Sequence, residues 1–460
     1  MENNNATAAA SSVHFSTSYK VWLLFLLVAV YACGFLDRVI IIILGQAIKI
    51  DLGLSDFEMG LIGGLSFALF YTIGCIPLGR MAERHHRVRI ISVSIVAWSV
   101  FATLCGFAQN FWQMILYRSG VGVGEAGTVP GAHSLIADHF PPERRATALA
   151  IFGLGAPLGM LIASFGGGWM AQSFGWRSTF VYLGVPGVLI GALTWFTLRE
   201  PPRGMSDPTR PSIEVPALAS VVRRLWSNRT SRYTVLGTFV CAVAFQSINM
   251  FIPMYLSRVL GMSTANAAFT YGLVFGVGGF VGIALGGFVA DWLSARDQRW
   301  YAWVPGGATL ITAPIAVFML LQDDSQVATA ALFLFAVFSM CWNGPVFSTI
   351  HRMVEPRMRA TSSALVMMSM ALIGGLGSPL MGLLSDYFSS QIFTGGVFKA
   401  VCIKGAAAPA AAADLADACL KASGAGIRNS MLCFVVILVI AALLYMRAAK
   451  TYRQELQQQS

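Results

Sequence analysis

Charge is what this sequence has least of. Asp, Glu, Lys and Arg make up 11% of its 460 residues, against about 25% in an ordinary soluble domain. That scarcity excludes a soluble globular chain. With 56% hydrophobic residues and a mean hydropathy of +0.67, it also excludes a disordered one. No CxxC pair occurs and the six His are scattered, so neither a metal site nor a nucleophile–base set of an enzyme is expected, and no cofactor. There is no ring of charge or carbonyl filter of the kind a channel would carry, and no ATP-binding motif. The 46 glycines follow no triplet period, which rules out a collagen-like fibre. The first twenty residues lack a basic n-region leading into a short apolar core and cleavage site, so they read as a tail before an uncleaved anchor. The net charge of +10 does not indicate nucleic acid, because the basic residues are spread over short loops instead of sharing one soluble face.

What is abundant is apolar sequence in runs of membrane-crossing length. A hydrocarbon core of about 30 Å needs roughly 20 apolar residues. Twelve spans meet that, near 21–48, 57–79, 90–109, 111–137, 146–172, 178–198, 233–257, 264–290, 300–321, 326–350, 360–385 and 429–446. With both termini on the cytoplasmic side, 22 of the 31 Lys and Arg fall in cytoplasmic segments, 7 in outer loops, and Arg38 and Arg118 inside spans. This is the bias expected of a multi-pass protein of a plasma or inner membrane. The stretch Arg145-Ala146-Thr147 recurs as Arg359-Ala360-Thr361, and Gly79 with Glu83 recurs as Gly287 with Asp291. Offsets of 214 and 208 residues imply duplication of a six-helix unit.

The expected organisation is therefore a tail (1–20), a first bundle (21–198), a cytoplasmic linker (199–232), a second bundle (233–446) with a long outer loop (387–428), and a C-terminal tail (447–460). In the linker, VPALASVVRRLW has the pattern of a short amphipathic helix on the inner membrane face. The outer loop carries Cys402 and Cys419. On the oxidising side of the membrane they are expected to pair; two free thiols in an Ala-rich segment are the alternative. Gly122, Gly124 and Gly127 imitate a dinucleotide fingerprint, but they lie inside an apolar helix without a preceding strand, where small residues serve helix packing. The sequons at Asn5 and Asn228 fall on the cytoplasmic side and should carry no glycan.

Ionisable residues within a span are expensive and are by default functional candidates. The second bundle has none inside its spans, and the first has Asp37, Arg38, Arg118 and Glu125. Arg118 and Glu125, seven apart, share a helix face. At 1.5 Å per residue, Asp37 lies about 16 Å, Arg118 about 10 Å and Glu125 about 21 Å from the outer end of its helix. That depth allows an Asp37–Arg118 pair, with Arg38 free to meet Glu125. Two readings follow. Either the four residues form a neutral structural quartet, or Arg118 receives an anionic group, with Arg38 beside it, while Asp37 or Glu125 takes up a proton. The facing bundle offers Gln246, Asn249 and Asn343 as uncharged polar groups beside the Trp342 and Phe347 aromatics. His351 and Arg352 end span 10. One charged wall and one apolar wall would suit an amphiphile.

Several segments at matching positions resemble the major facilitator superfamily. GRMAERHHRVR, between spans 2 and 3, is similar to the family pattern G-x-x-x-D-R-x-G-R-(K/R): Gly79, Arg84 and Arg87 match, whereas Glu83, His86 and Val88 depart from it. The resemblance implies that Gly79, Glu83, Arg84 and Arg87, with Asp138 at the end of span 4, form an inner gate that latches the halves in the outward-open state. Arg118 and its glycines match R-x-x-x-G-x-G. FLDR in span 1, the extension to GEA with Glu125, FPPERRATALAIF and GSPLMGLLSD resemble the Spinster subfamily. This implies an all-α fold of two pseudo-symmetric six-helix halves and a monomeric, secondary-active design in which an anionic amphiphile, such as a lysophospholipid or a sphingosine-phosphate-like lipid, moves by alternating access. A proton is the expected coupling ion. A proton-coupled symporter of small organic anions is the alternative, since an Asp-Arg pair in helix 1 also occurs in anion symporters of the superfamily.

Overall fold

The computed structural model describes residues 15–202, 205–206, 217–355, 358–402 and 413–457. No strand occurs among them. Ten helical segments are long and apolar enough to cross a membrane, with Thr147–Thr197 counted once. Gly175, at φ 81°, divides that segment in two. Phe111–Glu125 and Thr128–His139, separated by a break at 126–127, supply the remaining crossing. The spans expected from hydropathy are thus all present.

We label them α1 (Thr17–Leu52), α2 (56–84), α3 (Arg87–Cys105), α4 (111–139), α5 (142–174) and α6 (176–197) in the first half. The linker helix is α7 (Leu218–Ser227). The second half contains α8 (Arg229–Arg258), α9 (Thr264–Ser294), α10 (Trp300–Leu321), α11 (Ser325–Met353), α12 (Arg359–Ile392) and α13 (Ala413–Gln457).

Local sequence explains where the helices begin. Ser16, Asn110, Asn228, Ser263 and Asp324 each accept a hydrogen bond from a first-turn N–H, and Ser55 with Glu58 forms a reciprocal capping box at the start of α2. The second sequon is therefore a helix cap: Asn228 Oδ1 accepts from the Ser231 N–H at 2.8 Å and is buried. Asn5 lies outside the described residues. In α7, Val221 and Leu225 are buried at i and i+4 while Val222, Arg223 and Trp226 are exposed, the amphipathic arrangement expected of the linker. Residues 203–204 and 207–216 of that linker lie outside the described ones.

Three helices contain π-helical turns: Leu61–Leu65 in α2, Ile162–Gly167 in α5 and Val274–Gly278 in α9. The first and third begin 213 residues apart, so the duplication read from the sequence is also written in the backbone. The halves approach each other closely where α2 meets α12. A Cβ on Gly60 would lie 2.4 Å from the Ser378 main-chain oxygen, and one on Gly382 would lie 2.1 Å from that of Asp56. Only glycine permits this contact.

The long outer loop is shorter than expected. α12 continues to Ile392 and α13 already begins at Ala413, so helix takes up both ends of the 387–428 segment, and the single turn Phe398–Val401 lies between them; residues 403–412 lie outside the described ones. The reason is composition: the Ala-rich run after Ala413 is a strong helix former, supported by an i,i+4 pair between Asp417 and Lys421 at 2.6 Å. From Ala413 the chain runs as one helix into its last crossing. Cys402 and Cys419 are joined, with Cα atoms 5.6 Å apart, and tie the turn after α12 to this extension. A crosslink closing a loop of this size is worth about 3 kcal/mol in the chain-entropy model. Cys419→Ser is therefore expected to lower the unfolding temperature of detergent-purified protein. An unchanged melting curve would show that the extension holds without it.

At the opposite end of α13, Asp297 in the turn after α9 holds Arg299 at 2.8 Å and Arg453 at 2.9 Å. These partners hold the Asp297 carboxyl down at about 2. Glu455 accepts from the Arg229 and Thr230 N–H groups at 2.7 and 3.0 Å, which locks the end of α13 to the start of α8.

Candidate functional site

The charges inside the first half converge on one place. Arg38 of α1 donates from Nε to Glu125 Oε2 of α4 at 2.7 Å, the partner that depth along the helices allows. The Arg38 side chain is 31% exposed while that of Glu125 is 3% exposed, so one arm of the pair is open and the other enclosed. Arg118 lies differently. It is buried, and its Nη1 donates to the main-chain oxygen of Asp37 at 3.2 Å. Its contact with Asp37 thus runs through the backbone. Asp37 itself is also buried.

Two aromatic side chains of α2 complete the floor. The Phe67 ring lies 5.1 Å from the Arg38 guanidinium and 5.4 Å from that of Arg118. The Tyr71 ring lies 5.0 Å from Arg38. Cation–π contacts of this kind hold guanidinium groups without neutralising them. Trp98 of α3 reaches the same place, and a Cβ on Gly34 would lie 3.7 Å from Glu125 and 3.9 Å from the Trp98 ring. Tyr31, Phe35, Arg38, Trp98, Glu125 and Thr128 line a cavity of about 10 Å³ beside the ion pair. Phe67, Tyr71 and Trp98 escape a search for charged residues. Their only trace is the i,i+4 aromatic spacing of Phe67 and Tyr71.

The polar groups of the second half have partners of their own. Gln246 donates from Nε2 to the Met370 oxygen at 3.4 Å, and Asn249 Oδ1 accepts from the Tyr271 hydroxyl at 2.6 Å. Asn343 is half-buried at the first position of the second helical piece of α11. His351 contacts the Ser363 hydroxyl at 2.6 Å.

On the face that carries the termini, Arg87 is fully enclosed. It pairs with Asp138 and donates from Nε to Glu200 at 2.6 Å, from Nη1 to Ser134 Oγ at 2.8 Å and from Nη2 to the Pro201 oxygen at 3.1 Å. Glu200 also caps α3 by accepting from the Val88 N–H at 3.1 Å. These partners all belong to the first half or to the linker immediately after it. Glu200 is a member of the cluster that motif reading misses, because it lies beyond span 6. Arg84 is exposed and Gly79 has open space beside it; the Glu83 side chain lies outside what is described.

The most extensive charged network lies at the other face and joins the halves. Asp56, at the start of α2, receives both terminal nitrogens of Arg258 from α8, at 2.8 and 2.9 Å. It also receives Lys49 of α1 at 2.6 Å and the Ser385 hydroxyl of α12 at 2.7 Å. Arg258 further donates to Gln46 at 2.6 Å and to Ser423, in the extension of α13, at 3.2 Å. Asp386 accepts the Asp56 and Phe57 N–H groups at 3.0 Å each, capping α2 from across the interface. Six of these hydrogen bonds cross between the halves, and Lys49, Asp56 and Arg258 are buried. The expectation of no ionisable residue within the second half is corrected here: Arg258 and Asp386 each lie one residue past the expected span, and the helices extend to enclose them. The physical cause is that α8 and α12 run on to Arg258 and Ile392, where a partner rather than water satisfies the charge.

The Major Facilitator Superfamily model matches residues 26–379. The chain belongs to the Major Facilitator Superfamily. Among solved structures it is similar to a bacterial homologue of the human lysosomal transporter Spinster in an inward-facing, unoccupied conformation, with 31% identity, a TM-score of 0.88, and 96% of this chain and 99% of that one covered. Among characterised sequences it is 32% identical to an MFS-type efflux pump of Mycolicibacterium smegmatis over 78% of this chain and 83% of that protein. It is 30% identical to the probable galactarate/D-glucarate transporter GudP of Bacillus subtilis over 61% and 67%. This superfamily member is thus a multi-pass integral membrane protein whose relatives are transporters, and the Spinster resemblance read from FLDR and GEA extends to the whole fold. The network opposite the termini holds the two halves together on that side.

Proposed function

We propose that this chain carries an anionic amphiphile, of lysophospholipid or sphingosine-phosphate-like character, across the membrane by alternating access, with a proton coupled through Glu125. The observation that supports this reading is the Arg38–Glu125 pair, a half-open guanidinium held by an enclosed carboxylate above an aromatic floor. An acid group entering the pocket competes for the Arg38 fork. Glu125 is then left buried without its counter-charge, and among the described residues nothing hydrogen-bonds to its Oε1. A proton removes the cost of that unpaired charge, so anion and proton bind together. Arg118 shapes the site by holding Asp37 and α1, and Asp37 is a second carboxylate on which a proton can reside. Gln246, Asn249 and Asn343 face the substrate from the second half once their present partners are exchanged. Both termini lie in the cytoplasm in this proposal, as the distribution of Lys and Arg favours, and one chain suffices for transport.

The test is uptake by proteoliposomes between pH 5.5 and 8.5. Glu125→Gln should bind substrate yet lose the pH dependence of flux, while Asp37→Asn should flatten it less. Unchanged pH profiles in both variants would remove the proton and leave facilitated diffusion. A second reading, transport of short organic anions, is favoured by the 30% identity to the galactarate/D-glucarate transporter. Competition between a lysolipid and a sugar diacid for the same flux separates the two.

A further inference from the structure

The first half carries a groove on the side away from its charged site. On α3, Val93, Ala97 and Val100 stand at i, i+4 and i+7 and share one face, where Val93 and Val100 are exposed. Another side of α3 packs on α4, and a Cβ on Gly124 would lie 2.7 Å from the Trp98 side chain. The valine face is thus turned from the bundle toward lipid. α6 runs beside it, and Gly191 lets the two backbones approach: a Cβ there would lie 2.7 Å from Val96. Between the helices lies a groove of about 430 Å³, with Ala97 and Ala192 in its floor and Val93, Trp195 and Phe196 along it. That volume falls within the roughly 300–1,000 Å³ of small-molecule clefts. Its polar groups lie toward the end on the side of the termini. Arg89 is exposed there, with its guanidinium 5.8 Å from the Trp195 ring centroid. Among the described residues no carboxylate pairs with Arg89; Asp138 and Glu200, at the same end, are engaged by Arg87. Ser92, about one turn deeper, lines the groove, and its buried hydroxyl has no hydrogen-bond partner among the described residues. From Arg89 to Ala97 the groove follows α3 for about 12 Å.

We propose that this groove binds one anionic phospholipid from the leaflet on the side of the termini. Its phosphate meets Arg89, an ester carbonyl accepts from the Ser92 hydroxyl, and the start of one acyl chain lies between α3 and α6. A cation, an uncommitted hydroxyl and an apolar cleft follow one another here in the order in which a glycerophospholipid presents phosphate, ester and methylenes. Trp195 stands at the depth where amphipathic rings settle beside headgroups, and its ring keeps the Arg89 guanidinium at that level without neutralising it. A zwitterionic headgroup would bring its own cation against Arg89, so the anionic lipid is preferred. The site is independent of what the protein transports.

The test uses full-length, delipidated protein in detergent, with native mass spectrometry reading the first bound lipid and thermal melting as a second measurement. The probes are phosphatidylglycerol and phosphatidylcholine with the same acyl chains, and glycerol 3-phosphate as a headgroup without chains. Unmodified protein should bind phosphatidylglycerol about fivefold more tightly than phosphatidylcholine, the worth of one basic residue at an anionic headgroup, and should melt higher with it. Glycerol 3-phosphate should produce neither effect. Arg89→Ala should bring phosphatidylglycerol down to the level of phosphatidylcholine and leave the latter within about twofold; Arg89→Gln repeats the measurement should the alanine variant fold poorly. Ala192→Phe, which fills the groove from an exposed position, should weaken both lipids alike. A preference for phosphatidylglycerol that survives the loss of Arg89 would overturn the proposal. Equal binding of the two lipids by unmodified protein, indifference to Ala192→Phe, or the same melting shift with glycerol 3-phosphate alone would do so as well. A dimer that forms through this face and sheds the lipid would give the groove to a second copy of the chain instead.

Discussion

Asp56→Asn is expected to open the transporter on the face opposite its termini. Asp56 is the hub at which Lys49, Arg258 and Ser385 meet, and its removal leaves two buried cations facing each other. Breaking a buried ion pair from one side costs about 3–5 kcal/mol. Here the cost falls on one conformation, because Arg258 and Ser385 belong to the second half and the contact exists only while the halves are closed at this end. The equilibrium between closed and open should therefore move by roughly two to four powers of ten. The check is labelling of Ser378→Cys, whose backbone lies against Gly60 at the closed interface, in protein freed of its other reduced cysteines. Labelling should be slow in the parent and fast when Asp56→Asn is added. Equal rates would show that the glycine contacts between α2 and α12 close this face without the charges. Asp386→Asn should have a smaller effect, since the amide oxygen can still accept from one of the two α2 N–H groups.

Arg38→Ala should sharply reduce saturable anion flux. A charge-assisted hydrogen bond to an enclosed carboxylate is worth up to about 3 kcal/mol, so kcat/KM should fall by up to about a hundredfold. Arg38→Lys should recover part of it, keeping the charge but losing the planar fork. Arg38→Ala also strands Glu125, and a loss of folding would imitate a loss of function. The double variant Arg38→Ala, Glu125→Gln removes both charges and keeps the measurement interpretable: it should fold and still not transport. Arg118 provides the contrast. It is enclosed and bonded to the Asp37 backbone, so Arg118→Lys should reduce stability and flux together. Normal anion transport by a folded Arg38→Ala protein would refute the assignment.

Much of this architecture is legible in the sequence because a bilayer leaves so few choices. Every backbone group in the hydrocarbon must be satisfied within its own helix, so the length of an apolar run is nearly the length of a helix. The start signals at Ser16, Ser55, Asn110, Ser263 and Asp324 are local. The Arg38–Glu125 pair follows from depth, since rise per residue is constant and both helices cross the same slab. The six-helix repeat is read from Arg145 and Arg359 and reappears in the π-turns of α2 and α9.

What the sequence could not decide is which way a helix is turned and what awaits its ends. Asp37 and Arg38 are 100° apart, and nothing local says which faces the pocket; packing of α1 against α4 and α2 turned Arg38 toward it and enclosed Arg118. Hydropathy ended its spans at Lys49, Asp56, Arg258 and Asp386 because each is charged. Whether such a charge meets water or a partner depends on the other half of the molecule, and here the partners come from 202 and 329–330 residues away. The sequence by itself determined the twelve crossings and the charged pair at their centre. The tertiary structure alone decided that four charges at the span ends join the two halves, because only contact between the halves makes burying them cheaper than leaving them in water.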